Sequence, residues 1–173
     1  MEDNLFCAVI AMDWRSMYYT ACSVCERPLN EGRCNFCIRY NASSTPQSKR
    51  FFRLLISIAT DTKVLNAICF DRAARVMMGC SADEYCDFVK LHPSAGIFER
   101  IVSSVEEFDT RLKAFFAGRA VVKALEGEMF EISLSKPKNG NAQHLRVSSI
   151  KPLRCGFQPA MKVLHTWCKS RAS

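Results

Sequence analysis

Four cysteines lie within sixteen residues, as two Cys-x-x-Cys pairs separated by eight residues that include Pro28 and Gly32. Each pair can form a tight knuckle that turns two sulfurs toward a common point, and the short spacer brings the second pair opposite the first. Four thiolates would fill a tetrahedral site and leave no position for water, so the pattern predicts one closed, structural zinc ion (Zn2+) in a zinc ribbon. The predicted ligands are Cys22, Cys25, Cys34 and Cys37.

Two alternatives remain open for these cysteines, namely two disulfides or thiols that simply fill a core. A redox Cys-x-x-Cys is typical as a single motif beside a βαβ pattern, so a closely spaced pair disfavours it. The other cysteines stand singly among apolar neighbours, as small buried hydrophobes do. Near Met1 the sequence lacks the basic region followed by an apolar stretch that is typical of a secretory signal. No apolar run reaches the about 18 to 20 residues that are needed to span a bilayer. We therefore expect a reducing compartment.

The 173 residues, 49% of them hydrophobic, suffice for one substantial domain or a domain with a small insert. The formal net charge is +7, and no acidic residue follows Glu131. That last stretch therefore carries a basic cluster, which includes Arg146. A second basic cluster surrounds the cysteines: Arg27, Arg33, Arg39, Lys49, Arg50 and Arg53. Such surfaces suit a polyanion, and the alternative is a basic face that is merely solvated.

Hydrophobic patterning predicts a first strand at Leu5–Trp14 and a second at Phe51–Ala59. In the second strand, one face is entirely apolar because Phe52 and the residues at every second position after it are apolar. A turn at Asp61–Lys63 then predicts a hairpin with Val64–Phe70. Two or three further strands are suggested by the segments Ala114–Leu125, Met129–Leu134 and Leu145–Ile150.

Helix signals follow the hairpin. Asp71 is placed to cap a helix over Arg72–Met78, which Gly79 is placed to end. The pattern Ser81–Glu84 is a capping box, which predicts a second helix to about residue 91. Apolar residues recur at helical spacing between residues 97 and 108 as well.

The C-terminal segment, residues 156–171, predicts an amphipathic helix. Its apolar residues are Phe157, Ala160, Met161, Leu164, Trp167 and Cys168. The stripe is broad, and Trp167 is costly to leave in water. Two alternatives remain, because the stripe can pack on its own domain or against another subunit. In the second case Phe157, Met161, Leu164 and Trp167 are the partner-binding candidates.

These elements describe a mainly β domain with helices, an OB-fold barrel over residues 1–173 with the zinc ribbon inserted at residues 17–40. The order of its motifs resembles the C-terminal, DNA-binding domain family of the replication protein A large subunit. The motifs are Met17-Tyr-Tyr-Thr-Ala-Cys22, Phe52-Arg-Leu-Leu-Ile-Ser, Cys69-Phe-Asp-Arg-Ala-Ala, Met78-Gly79 and Val147-Ser-Ser-Ile-Lys-Pro152. The resemblance covers nearly the whole chain, and the order of the motifs carries it more than any one of them.

Two departures indicate a paralogue: the eight-residue ribbon spacer is short for that family, and residues 81–108 are not closely matched. Among related branches, the shieldin-type domains resemble the chain best, and the meiosis-specific OB-fold relatives are second. The resemblance to shieldin implies single-stranded DNA binding at double-strand breaks in the nucleus, on chromosomes, with restraint of end resection. It also implies docking of a small partner subunit, subunit 1 in shieldin, through this C-terminal region.

A single-strand-binding OB barrel needs a basic groove and aromatic faces on which bases stack. The candidates at the start of the second strand are Lys49, Arg50, Phe51, Phe52 and Arg53. The family's stacking aromatic maps to Phe52, but the alternation places Phe52 on the core-like face, so either phenylalanine can be the stacker and the other is core. Further candidates, each with simple packing as the alternative, are Trp14, Arg15, Tyr18 and Tyr19.

No catalytic pattern is present in the sequence. The histidines (His92, His144 and His165) are far apart, and the chain has no Walker loop, GxGxxG or HExxH motif. We therefore expect a protein that is not an enzyme. The two remaining readings are a DNA-binding module, which the basic charge favours, and a module that holds a partner, which the apolar stripe and the abundant Phe and Met favour.

Overall fold

The computed structural model describes residues 4–29, 34–40, 48–91, 110–137 and 144–171. The strands are β1 (Leu5–Met12), β2 (Tyr18–Cys22), β3 (Ser48–Ala59), β4 (Val64–Phe70), β5 (Met129–Ser135) and β6 (Leu145–Pro152). The helices are α1 (Asn35–Tyr40), α2 (Asp71–Met78), α3 (Ala82–Leu91), α4 (Thr110–Leu125) and α5 (Ala160–Arg171). None of the described helices is long and apolar enough to cross a membrane. The predicted helix at residues 97–108 lies outside the described residues.

Five of the strands close into a barrel. β1 pairs antiparallel with β3 and with β5, β3 with β4, and β5 with β6, while β4 and β6 run parallel. This is the strand order of an OB fold, which confirms the predicted fold class. β2 is additional: it pairs with the first half of β3 and extends the sheet beyond the barrel.

The barrel core follows from the alternation in β3. Phe52, Leu54, Ile56 and Ile58 are each at most 1% exposed, and the residues between them face outward. A bulge in β1 near Val9 shifts its register against β3, and such bulges bend a strand around a barrel. The residues that β3 buries therefore lie on one continuous inner face.

The predicted strand at Ala114–Leu125 is wrong, because this segment belongs to helix α4. Its buried residues Ala117, Ala120, Val121 and Leu125 recur at helical spacing on one side. Further apolar residues on the partly buried flanks of the helix hide that period in the sequence. Alanine also favours a helix over a strand.

Helix α2 differs at its start from the prediction. Asp71 is the first helical residue, and Phe70 occupies the cap position without a side-chain cap bond. The carboxylate of Asp71 instead accepts the backbone N–H of Phe52 at 3.1 Å and pairs with Arg75 at 2.8 Å. The predicted stop is confirmed, since Gly79 adopts the left-handed conformation with φ of 74°.

The capping box of α3 is confirmed. The backbone N–H of Glu84 donates to the Ser81 hydroxyl at 3.1 Å, and the N–H of Ser81 donates to the Glu84 carboxylate at 3.3 Å. Both bonds satisfy N–H groups that the first turn of a helix leaves without a partner. The helix then extends to Leu91, as expected.

Helix α5 begins at Ala160 rather than at residue 156. The residues before it form a turn, in which the N–H of Phe157 donates to the carbonyl of Arg154 at 3.1 Å. The helix packs on its own domain: Ala160, Met161 and Leu164 are 0%, 7% and 0% exposed within the barrel core. The remaining stripe residues, among them Phe157 on the ring of Phe130, pack against the same core and are partly buried.

Candidate metal centre and nucleic-acid interface

The four cysteines lie on a short module that β2 and α1 position, which we call the four-cysteine module (residues 18–29 and 34–40). Cys22 ends β2, Cys25 follows in a turn, Cys34 precedes α1, and Cys37 lies in its first turn. The first knuckle is closed by backbone bonds: the N–H of Cys22 donates to the carbonyl of Arg27, and the N–H of Glu26 donates to the carbonyl of Cys22, both at 2.9 Å.

The four sulfur atoms converge. The Sγ atoms of Cys22 and Cys37 are 3.6 Å apart, those of Cys25 and Cys34 are 3.4 Å apart, and all four lie within 4.8 Å of one another. A disulfide requires about 2.05 Å, so the cysteines are free thiols and the disulfide alternative does not hold. Sulfurs around a tetrahedral zinc at about 2.3 Å are roughly 3.8 Å apart, so this set of donors fits one such ion.

The backbone around the sulfurs favours thiolates. The N–H of Val24 donates to Cys22 Sγ at 3.4 Å and that of Cys37 to Cys34 Sγ at 3.3 Å. The latter bond lowers the pKa of the Cys34 thiol to about 7, whereas burial and the neighbouring sulfurs raise the pKa of Cys37 to about 12. Four adjacent thiolates therefore require a bound cation to coexist, and the four clustered cysteines can hold one metal ion.

A second feature is the outer surface of β2, β3, β4 and β6, which we call the aromatic–basic face. Strand register places its residues side by side, because Tyr19 opposes Phe51 and Arg53 opposes Phe70. β6 adds Arg146 beside Ile68 of β4. The face comprises Tyr19, Lys49, Phe51, Arg53, Phe70 and Arg146.

Its cations lie over its rings. The Nζ of Lys49 is 5.4 Å from the ring centroid of Phe51, and the guanidinium of Arg146 is 4.4 Å from that of Phe70. The ring centroids of Tyr19 and Phe51 are 6.0 Å apart, and the two ring planes are tilted by 32°. Phe51 is only 5% exposed, whereas Tyr19 and Phe70 are half-buried, so these two rings are the more accessible ones.

Tyr19 also has an acidic neighbour. Burial raises the pKa of its phenol, and the carboxylates of Asp71 and Glu26 raise it further, while Arg146 opposes them. The ring is consequently neutral at physiological pH. A neutral aromatic ring is a surface on which a base can stack.

The sequence-predicted DNA-binding residues divide between this face and other places. Lys49, Phe51, Arg53 and Tyr19 lie on it. Phe52 is fully buried in the core, 6.1 Å from the ring of Tyr85, which places Phe52 rather than Phe51 in the barrel core.

The remaining four predicted residues lie elsewhere. Arg50 pairs with Asp83 of α3 at 3.2 Å. Tyr18 shares the Phe52 side of the sheet, where burial and a hydrogen bond with Cys86 raise the pKa of its phenol.

Trp14 packs edge-on against Phe115 of α4, with ring centroids 4.3 Å apart. Arg15 is exposed and pairs with Asp13 at 3.1 Å. Neither side chain belongs to the aromatic–basic face.

Sequence reasoning missed two members of the face. The position of Phe70 could have been predicted from the sequence, because counting residues across the predicted hairpin turn places Phe70 opposite Arg53. Arg146 was noted as basic but not as a site residue. It reaches the face only through the parallel contact between β4 and β6, for which the sequence has no local signal.

A closed barrel in which β4 and β6 run parallel, with a four-cysteine module inserted between the barrel strands β1 and β3, defines an OB-fold domain with an insert that can hold a metal ion. Among solved structures, the chain is similar to a replication protein A heterotrimer bound to single-stranded DNA, with a TM-score of 0.55 and 18% identity over 99% of this chain. It spans 36% of that chain.

A second similar structure is yeast replication protein A bound to single-stranded DNA, with a TM-score of 0.54 and 17% identity over 99% of this chain and 86% of the other. No family model and no curated protein sequence matches the chain. At these identities the likeness shows the fold alone, an OB barrel.

Proposed function

We propose that this domain binds single-stranded DNA on the aromatic–basic face and that one structural zinc ion in the four-cysteine module holds part of that face in place. The observation that carries the proposal is the alignment of two accessible rings, Tyr19 and Phe70, with three cations on one continuous surface of the barrel. Rings on which bases stack, lined by cations that follow the phosphates, are the means by which OB barrels hold single strands.

In this proposal Lys49, Arg53 and Arg146 contact phosphates, and bases stack on Tyr19 and Phe70. Each stack contributes roughly 1 to 3 kcal/mol and is tolerant of sequence, so little base preference is expected. Arg146 now lies over the Phe70 ring. When a base takes that position, the guanidinium exchanges a cation–π contact for a phosphate.

The zinc ion is proposed to act structurally. Cys22, Cys25, Cys34 and Cys37 would hold it, and four thiolates leave it no open position for a substrate. Cys22 ends the same short strand that carries Tyr19. Fixing Cys22 therefore fixes the end of β2 and the ring three residues before it.

We further propose that the domain serves a nuclear, replication protein A-like complex acting in double-strand break repair, in the manner of shieldin, where it restrains end resection and favours end joining. The order of the sequence motifs and the short cysteine spacer support this role. The alternatives are a replication or meiotic paralogue that binds single strands, and a module that only binds a protein partner.

Docking of a small partner subunit on α5 is a second proposed role. Met161 and Leu164 are buried against the barrel, so a partner that leaves the helix docked would contact Phe157 and Trp167, which are only partly buried. This proposal rests on the exposed parts of the Phe157 and Trp167 side chains.

The DNA proposal is tested by fluorescence anisotropy with a labelled oligo-dT strand at two salt concentrations. Reversing three charges, Lys49→Glu, Arg53→Glu and Arg146→Glu together, should weaken binding at low salt by about tenfold or more. It should also reduce the slope of the logarithm of the binding constant against the logarithm of the salt concentration by about 2, because each of the three phosphate contacts contributes about 0.7 to that slope. Tyr19→Ala should lower affinity by roughly 1 to 3 kcal/mol.

The matched control reverses three exposed lysines on α3 and α5, Lys90, Lys162 and Lys169, and so makes the same change in net charge. Zinc content and thermal melting verify that each variant is folded. Equal affinities for the two triple variants would show that binding depends on net charge and not on this face, and would sink the proposal.

A further inference from the structure

A groove of about 450 Å³ lies between β1 and α4, and none of its lining residues belongs to the four-cysteine module or the aromatic–basic face. Its apolar lining includes Ile10, Met12 and Val122. Ile10 is 43% exposed although it is a large aliphatic side chain. Exposed apolar surface within a concave site is typical of places where another molecule binds.

The rim of this groove is cationic. Arg119 and Lys123 line it from α4, are exposed, and are one helical turn apart. Within the described part of the chain neither has a carboxylate within 4.0 Å. Glu126 is the acidic residue in the lining, so two cations face one carboxylate.

The wall of the groove is fixed by close packing. A Cβ on Gly118 would lie 2.9 Å from the Cβ of Trp14 and 3.0 Å from its carbonyl oxygen, so α4 approaches the chain after β1 as closely as glycine allows. The Trp14 ring also packs edge-on against Phe115 at 4.3 Å. This wall of the groove is therefore closely packed, so little of it has to be ordered when the groove is filled, which lowers the entropic cost of binding.

We propose that this groove docks an acidic segment of a partner protein. An apolar side chain of the segment lies on Ile10 and Val122, and its carboxylates pair with Arg119 and Lys123. Charge complementarity carries the choice of occupant. Among the described residues the two rim cations have no carboxylate partner, although the Arg119 guanidinium lies 5.8 Å from the ring centroid of Phe115, and a second copy of a chain with a net charge of +7 is poorly suited to the rim.

Nucleic acid fits this groove less well than an acidic peptide. The Trp14 ring is engaged by Phe115, and the other apolar residues that line the groove are aliphatic, so they offer no flat surface on which a base can stack. An aliphatic floor with two cations on one edge matches a short amphipathic peptide in which acidic residues flank apolar ones at helical spacing.

The probe is a set of fluorescein-labelled synthetic peptides in which Asp and Glu flank Leu, Ile or Phe at helical spacing, measured by anisotropy on the intact zinc-loaded chain. Each peptide has an isosteric partner in which Asn and Gln replace the acids. We expect binding of acidic peptides, weakened about tenfold or more by Arg119→Glu with Lys123→Glu. The matched control, Lys162→Glu with Lys169→Glu on α5, should bind as the wild type does.

A second variant tests the floor. Ile10→Asp places a charge on an exposed position, so it should weaken peptide binding while leaving zinc content and the melting temperature unchanged. The proposal is overturned if no acidic peptide binds, if the neutral partners bind equally well, or if the two double variants are equal. It is also overturned if the Arg119 and Lys123 variant loses affinity for oligo-dT and not for peptide, because the groove then belongs to a DNA path.

Discussion

The barrel and the four-cysteine module hold their folds by different means. The barrel buries large side chains completely, among them Phe52, Phe130 and Met77, and burying each contributes about 1.5 to 3 kcal/mol. In the described residues of the module, the buried cluster consists of three cysteines, against which Cys25 and Leu29 pack. So small an apolar cluster cannot offset the entropy of ordering the chain.

We therefore expect the module to depend on a bound metal ion and the barrel to fold without one. β2 belongs to both, since it pairs with β3 along its length and ends at Cys22. Tyr19 lies on this shared strand, so the aromatic–basic face extends from the barrel onto the four-cysteine module. Loss of metal should therefore reduce DNA affinity without unfolding the barrel.

The largest expected effect is the loss of one zinc ligand. Cys34→Ala should lower zinc content below one per chain and unfold the module, because zinc binding of this kind contributes on the order of 10 kcal/mol to folding. The barrel should retain a cooperative thermal transition. Zinc is measured by atomic absorption, the module's order by limited proteolysis, and the barrel by circular dichroism.

The matched control for this prediction is Cys155→Ala. Cys155 is exposed on the turn before α5, outside the cysteine cluster, so its loss should change neither zinc content nor proteolysis. Full zinc retention in Cys34→Ala would refute the metal site. A complete loss of the barrel transition would instead show that the two regions are not independent.

A smaller effect is expected from a cavity in the barrel. Leu164→Ala removes a fully buried side chain of α5 and should lower the free energy of unfolding by about 2 to 5 kcal/mol, with zinc content unchanged. Lys162→Ala, on the exposed side of the same helix, is the control. Unchanged stability in Leu164→Ala would mean that the helix is not docked in solution, which would favour the alternative in which its stripe meets a partner.

Local signals in the sequence predicted a large share of this structure. The cysteine spacing specified the four-sulfur cluster, since two knuckles with a short spacer have few ways to close. The period of two in β3 predicted the core face correctly, although the choice between Phe51 and Phe52 stayed open until the structure placed Phe52 in the core. Ser81 and Gly79 marked helix ends because their roles depend on nearby backbone atoms.

The sequence did not predict features with an ambiguous local pattern or features that depend on contacts between distant segments. α4 was taken for a strand because apolar residues on its flanks obscured the helical period of its buried side. Asp71 bonds the N–H of Phe52, nineteen residues away, instead of capping its own helix. Arg146 reaches the aromatic–basic face only when β6 lies parallel to β4, a pairing that barrel closure determines.

The smallest predicted effect concerns Asp71, which joins α2 to β3 close to the point where the barrel meets the module. Asp71→Ala removes the charged acceptor of the Phe52 N–H, so the free energy of unfolding should fall by about 1.5 to 3 kcal/mol. Asp71→Asn retains an acceptor oxygen, so its free energy of unfolding should fall by less. The Asp71 carboxylate also raises the pKa of Tyr19, so both variants should lower the pKa of that phenol in an ultraviolet pH titration. Zinc content should remain at one per chain. If Asp71→Ala released zinc as Cys34→Ala does, the stability of the module would depend on the barrel's internal bonds, and the distinction between the two regions would fail.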